Sequence, residues 1–215
     1  MNRLNVEMTF SLDSAYHVSA DRVSFGIDKA IYIDPRNDKT KTHTIPATTL
    51  KGVLRHHIEA VLRAKNVYVC EAPRPDRMCR PGPGKKNCVV CEVFGSPRIK
   101  SRLSFHDIVL NSDSDTRMGV GIERRRKTAR EDHLFSFEVG YEKQFSTKIK
   151  GVFPSSDDAK KASALLFVGA KAGFALGGAK SRGLGWITLQ EFKTTIDDAE
   201  IPMHDIEAKL REVLS

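Results

Sequence analysis

Along the first twelve residues every second position is hydrophobic, with Leu4, Val6, Met8, Phe10 and Leu12 alternating with Asn5, Glu7, Thr9 and Ser11. A period of two buries one side of a strand and leaves the other in water, so the chain is expected to open on a half-buried β-strand. After a polar stretch, Gly26 to Ile33 reads as an extended segment and Asp34 to Asp38 as a turn around Pro35. The period then changes to that of an α-helix, with Leu50, Val53, Leu54, Ile58, Val61 and Leu62 on one side. Pro46 opens this helix, and Thr48 or Thr49 is its expected cap. Lys51 and Arg55 stand one turn apart, where they can act on a single anion.

Residues 71 to 87 bring Pro73, Pro75, Pro81, Pro83, Gly82 and Gly84 together among basic residues. Proline removes amide donors and restricts the backbone, so this stretch resists helix and strand and is expected to be an insertion, about 66 to 100. Leu103 to Leu110 reads as a strand. Phe135, Phe137, Val139 and Tyr141 alternate with polar residues, and Phe145, Thr147 and Ile149 continue the pattern past a turn. Ser155 or Ser156 can cap a second helix, whose face of Ala162, Leu165, Leu166, Gly169, Gly173 and Leu176 is small enough for close packing on a sheet. Trp186 to Phe192 reads as the last strand and Asp205 to Leu214 as a terminal helix. Strand, helix, two strand regions, helix and strand make an α+β chain with a ferredoxin-like (RRM-like) βαββαβ core, decorated by a Cys/Pro-rich insertion. One domain over 1 to 215 is expected.

Charge adds a partner class to this picture. The chain carries 35 Lys and Arg against 27 Asp and Glu, a net charge of +8, and the excess gathers where loops are expected, as at Arg124, Arg125, Arg126, Lys127 and Arg130. Such clustering suits a polyanion such as nucleic acid. No apolar run approaches the roughly 20 residues that cross a bilayer, so no membrane is expected and the cytoplasm is the expected compartment. In a reducing compartment Cys70, Cys79, Cys88 and Cys91 point to metal before disulfides. One CxxC pair with two upstream cysteines can build a tetrahedral structural Zn2+ site, with His56 or His57 as the alternative to one thiolate.

Between the second helix and the last strand, Gly177, Gly178, Gly183 and Gly185 surround Lys180 and Arg182. Glycine lets a backbone approach phosphate while the two cations supply charge. No Gly-Lys-Ser/Thr closes the segment ahead of a helix, which excludes a Walker loop. This segment resembles the glycine-rich signature of RAMP proteins, the RNA-binding proteins of CRISPR effectors. Two further stretches are similar to that family. One is Ile45-Pro46-Ala47-Thr48-Thr49-Leu50-Lys51-Gly52, in which Ala47 replaces the family's glycine. The other is Cys88-Val89-Val90-Cys91-Glu92-Val93-Phe94-Gly95-Ser96, followed by Ser101-Arg102-Leu103.

Within the superfamily the chain looks most like the repeated backbone subunit of type III, Csm or Cmr type, effector complexes. The resemblance implies that guide RNA, complementary target RNA and other effector subunits, copies of itself among them, are the partners. It implies guide binding through Lys51, Arg55, Lys180 and Arg182. It also implies that the Arg-rich stretch belongs to a β-hairpin thumb, about 117 to 140, which crosses the guide–target duplex. Phe25-Gly26-Ile27-Asp28 resembles the loop in which an acidic residue cleaves target RNA with a divalent metal such as Mg2+; Asp28 is the residue carried over, and Asp34 is the alternative. Two other roles occur among related proteins. One is a standalone endoribonuclease that processes precursor CRISPR RNA, for which His17, His43, His56 and His57 are available. The other is a noncatalytic scaffold.

Overall fold

The computed structural model describes residues 1–19, 26–37, 42–80, 82, 84 and 86–215. Phe25, Asp38, Pro81 and Pro83, on which parts of the sequence reading fall, lie outside the described residues. The alternating first segment forms β1 (Asn2–Leu12), with Leu4, Val6, Met8 and Phe10 buried. In the region of the next extended segment, Ser19 bridges Ile31 and Ile33 bridges His43 of the short β2 (His43–Ile45), without a continuous strand. A single 3-10 turn, Pro35–Asn37, follows Asp34.

Helix α1 runs over Ala47–Ala64 and buries Leu50, Leu54, Ile58 and Leu62. Pro46 occupies its cap position and no side chain caps it, so the hydroxyls of Thr48 and Thr49 lie inside the helix and not at its start. Proline suits that place because its missing N–H is one the helix would leave unpaired. Among the described residues the proline-rich insertion contains no helix or strand until α2 (Val89–Phe94), a short helix beginning at the CxxC. What reads as one strand over Leu103 to Leu110 divides into β3 (Leu103–Phe105) and β4 (Ile108–Leu110), which join different partners. There follow the long hairpin β5 (Asp113–Glu123) and β6 (Thr128–Tyr141), then β7 (Gln144–Phe153) and α3 (Ser156–Lys171). The chain ends with β8 (Phe174–Ala175), β9 (Trp186–Ile196), β10 (Ala199–Glu200) and α4 (Met203–Leu214).

The main sheet runs β10-β9-β1-β7-β3, every pair antiparallel, with β8 joined to β9. Register places Val6 opposite Ile149 and Phe10 opposite Phe145, which sends both apolar sets to one side. On that side lie α1 and α3. They approach closely because position 169 is glycine: a Cβ there would stand 2.6 Å from Ile58 Cγ1. Ser155 caps α3 by accepting the Asp158 amide. The helix ends at Lys171, so Gly173 and Leu176 belong to the loop beyond it. Helix α4 covers α3 through Ile206 and Phe167.

The opposite side of the sheet is open. On its two central strands it presents Arg3, Asn5, Glu7 and Thr9 from β1 and Ser146, Lys148 and Lys150 from β7. An RRM stacks bases on aromatic residues at such positions, and this face has none on β1 or β7.

Candidate nucleic-acid interface and thiol cluster

The glycine-rich segment folds as a closed loop against the Ala15–His17 segment that follows β1. Its neck is tied by Leu176 N–H to Gly185 C=O at 2.7 Å, and Gly185 N–H donates to Ala15 C=O at 2.7 Å. Gly178 N–H donates to His17 C=O, also at 2.7 Å. A Cβ at Gly177 would lie 2.2 Å from the His17 oxygen and one at Gly185 2.0 Å from the Leu176 oxygen, both on backbones of positive φ. The amides of Gly178, Gly183 and Gly185 are therefore used within the protein. Gly177 and Gly185 permit close backbone approach, and these three amides are turned to carbonyls of the chain, where the sequence reading has them facing a phosphate. The turn between them, Lys180–Arg182, is exposed. Among the described residues Lys180 has no carboxylate partner; burial, with the charges of His56 and Lys180, lowers the basicity of His57 on α1. The Arg182 guanidinium sits 4.5 Å from the centre of the Phe135 ring and 5.7 Å from that of Phe137. These are cation–π distances.

Phe135 and Phe137 come from β6, and the Asp28 loop is fastened to the same strand. Ser136 donates its amide to Asp28 Oδ2 at 2.6 Å and its Oγ hydrogen bonds Asp28 Oδ2, the Asp28 amide and the Gly26 carbonyl. Lys29 and Ile31 continue the attachment through Glu138. Asp28 is exposed, and among the described residues its Oδ1 has no hydrogen-bond partner. Between the Asp28 loop, β6 and the glycine-rich loop lies a cleft of 560 Å³, lined also by His17 and Ser19. His17 is buried, with Nδ1 bonded to the Glu138 carbonyl at 2.7 Å and Nε2 to Ser19 Oγ at 2.9 Å. Ser19 and Ser136 carry no signal in the sequence as parts of this site, because only folding brings residues 117 positions apart to one wall.

Asp34, the alternative acid, is placed differently. Its carboxylate takes a bidentate grip from Arg36, at 2.5 Å to Nη2 and 3.0 Å to Nε, and Arg36 also reaches Asp107 at 3.0 Å. The Arg36 hydrogen bonds hold the Asp34 carboxyl below its ordinary range, and Asp34 does not line the cleft. Nor do the four histidines converge. His43 is buried with Nδ1 bonded to the Tyr16 hydroxyl at 2.9 Å, whereas His56 and His57 lie edge to face on α1.

Arg124, Arg125, Arg126 and Lys127 occupy the turn and first residues at the tip of the β5–β6 hairpin, all exposed. One hairpin face carries Met118, Val120, Ile122 and Leu134 exposed at 46 to 66%. On the other face Phe135 lies across Gly119, where a Cβ would stand 2.3 Å from its ring.

Lys51 and Arg55 do not act as a matched pair. Lys51 is half-buried, 5.9 Å from the Phe105 ring centre, with no carboxylate partner among the described residues. Arg55 turns inward, donating to Glu59 Oε1 at 2.8 Å, to the Gly95 carbonyl at 2.8 Å and to Cys91 Sγ at 3.5 Å. Arg63 grips the other Glu59 oxygen at 3.2 Å and the Cys70 carbonyl at 3.0 Å.

These arginines brace the four thiols. The Sγ atoms of Cys70, Cys79, Cys88 and Cys91 lie within 4.8 Å of one another, with Cys70 3.4 Å from Cys91 and 3.7 Å from Cys88. Tetrahedral zinc, with Zn–S of about 2.3 Å, requires S···S separations of about 3.8 Å, so the cluster can hold such an ion. The Cys91 hydrogen bond is the first cause that draws the Cys88 thiol down to about 4, and the same bond pushes Cys91 up. His56 and His57 stand outside the cluster. Among the described residues no other group of three or more His, Cys, Asp or Glu side chains converges, and Asp28 is the one carboxylate on the cleft. A preformed Mg2+ cage is therefore not present in the described residues.

Comparison with known proteins follows from this geometry. The family model of the RAMP superfamily matches residues 10–188, a span that runs from β1 through both loops of the cleft. The chain belongs to the RAMP superfamily. A search of curated proteins finds no significant match. RAMP membership points to a CRISPR-associated RNA-binding subunit with RNA and effector proteins as partners. Among the described residues no helix is long and apolar enough to cross a membrane.

Proposed function

We propose that this RAMP protein is a guide-RNA-binding backbone subunit of a type III effector, in which Asp28 assists cleavage of target RNA. The observation that carries the reading is the cleft in which the free Oδ1 of Asp28 faces the same space as the Arg182–Phe135 stack. There a cation over an aromatic ring offers a surface for a base or phosphate. A carboxylate fixed by Ser136 can orient a 2′-hydroxyl for in-line attack. A divalent ion would bind Asp28 together with phosphate oxygens of the RNA, as Mg2+ commonly does.

The core is read as ferredoxin-like. The sheet order β9-β1-β7-β3, with α1 after β1 and α3 after β7, supports this. On this reading residues 66 to 100 and the β5–β6 hairpin are insertions, the first organised by structural zinc. The hairpin acts as a thumb: its cations engage both phosphate chains and its exposed apolar face enters a stack.

The deciding experiment uses the reconstituted effector, guide and target. Asp28→Ala is expected to abolish cleavage at the sites facing this subunit while leaving guide and target affinity near wild type. Cleavage that survives unchanged in Asp28→Ala rejects the catalytic assignment. The scaffold reading draws on the single carboxylate in the cleft, and it prevails if the wild-type complex never cuts at those positions.

A further inference from the structure

A second cleft, of 540 Å³, lies where α1, the cysteine insertion and the turn after α2 meet. It falls within the roughly 300–1,000 Å³ range of small-ligand sites. Its walls are apolar, contributed by Pro73, Met78, Phe94, Pro97 and Ile99. Lys51, Arg55 and Lys100 also line it, and among the described residues no carboxylate does. Among the described residues neither lysine makes an ion pair. Burial and the neighbouring Arg55 charge lower the basicity of Lys51, a cost that an arriving anion would relieve.

The turn after α2 is tied by its own hydrogen bonds. Ser96 and Ile99 exchange backbone hydrogen bonds at 2.8 and 3.1 Å, and Arg55 holds the Gly95 carbonyl at 2.8 Å. Gly95 has a φ of 84°, and a Cβ there would meet the Ile99 oxygen and the Ser101 nitrogen at 2.7 Å. An apolar slot flanked by two unpaired cations matches the alternation of base and phosphate along a nucleic acid strand.

We infer that this groove takes one unstacked nucleobase of single-stranded RNA, with the adjoining phosphates on Lys51 and Lys100. The inference rests on the RNA-binding reading above and assigns to it a subsite separate from the Asp28 cleft. The free rim charges are both cationic and the chain as a whole carries +8, which favours RNA over a neutral apolar partner.

The test uses the full chain and an oligouridylate of about 12 nucleotides carrying 4-thiouridine, beside an abasic oligomer of equal length. Photocrosslinks are expected at residues 72 to 78 or 94 to 101. Ile99→Asn, which keeps the charge, is expected to weaken binding of the base-bearing oligomer about tenfold and to leave the abasic one unchanged. Lys100→Ala is expected to weaken both and to reduce the salt slope by about one. Wild-type protein that binds both oligomers equally overturns the inference, as do crosslinks confined to the glycine-rich loop and hairpin; in both cases RNA binding itself stands. An acidic aromatic peptide that blocks the groove residues from crosslinking while both oligomers stay bound assigns the groove to a protein partner and also overturns it. Wild-type protein that binds no RNA removes this site and the wider reading together. The crosslink map needs no variant, so a misfolded Ile99→Asn leaves the test intact.

Discussion

Glu59 is the member of α1 whose removal the structure weighs most clearly. Its side chain is 6% exposed and its two oxygens engage Arg55 at 2.8 Å and Arg63 at 3.2 Å. Arg55 is 18% exposed and Arg63 45%, so Glu59→Ala leaves one guanidinium largely desolvated and the other able to turn toward water. Breaking a buried ion pair from one side costs about 3–5 kcal/mol, and the lower end applies because Arg55 keeps the Gly95 carbonyl. A loss of about 3 kcal/mol in a chain of this length lowers Tm by roughly 6–12 °C. Arg63→Ala removes an exposed partner and one bond to the Cys70 carbonyl, and about 1 kcal/mol is expected. Glu59 holds Arg55 Nε while Nη2 of the same guanidinium donates to Cys91 Sγ, so Glu59→Ala is also expected to weaken metal retention about 10–100-fold. Urea unfolding of metal-loaded protein and competition with a chelating dye measure the two effects. Equal costs for Glu59→Ala and Arg63→Ala would refute the unequal burial argument. A destabilised Glu59→Ala with wild-type metal affinity would confine the pair to α1 and sever it from the thiols.

Elemental analysis of protein purified without added metal is expected to find about one zinc per chain, and Cys88→Ser combined with Cys91→Ser to abolish it. Gly185→Ala forces a Cβ to 2.0 Å from the Leu176 oxygen at positive φ. It is expected to cost more than about 1 kcal/mol in urea unfolding, whereas Gly183→Ala, which meets nothing within 4 Å, pays only the strain of its φ. Asp34 has its carboxyl lowered by Arg36, so its contribution is present above the unfolded pKa of about 4 and lost as pH falls through the folded one. The stability gap between wild type and Asp34→Asn is therefore expected to be constant above about pH 5 and to close in more acid solution; a gap that widens there contradicts the assignment.

Much of this protein is written locally in its residues. The period-two run at Leu4 to Leu12 and the 3.6-residue run at Leu50 to Leu62 become β1 and α1 because each exposes one apolar face that only burial satisfies. Ser155 announces α3 by its own hydroxyl, and four cysteines in a proline-rich stretch announce a cluster, since such a stretch has too little apolar surface to order itself. Which carboxylate faces the cleft was not local information. Asp28 and Asp34 look alike in sequence, and the difference lies in Ser136, more than a hundred residues away, against Arg36 and Asp107. Lys51 and Arg55 share one helical spacing, yet the Gly95 carbonyl and the Cys91 thiol draw one inward and leave the other at the surface. The glycines of 177 to 185 reveal that a backbone must approach something closely; that it is the chain's own Ala15–His17 segment follows from sheet pairing. Periodicity and turn chemistry act over a few residues, whereas charge partners and clefts come from contacts that form only when distant segments are packed together.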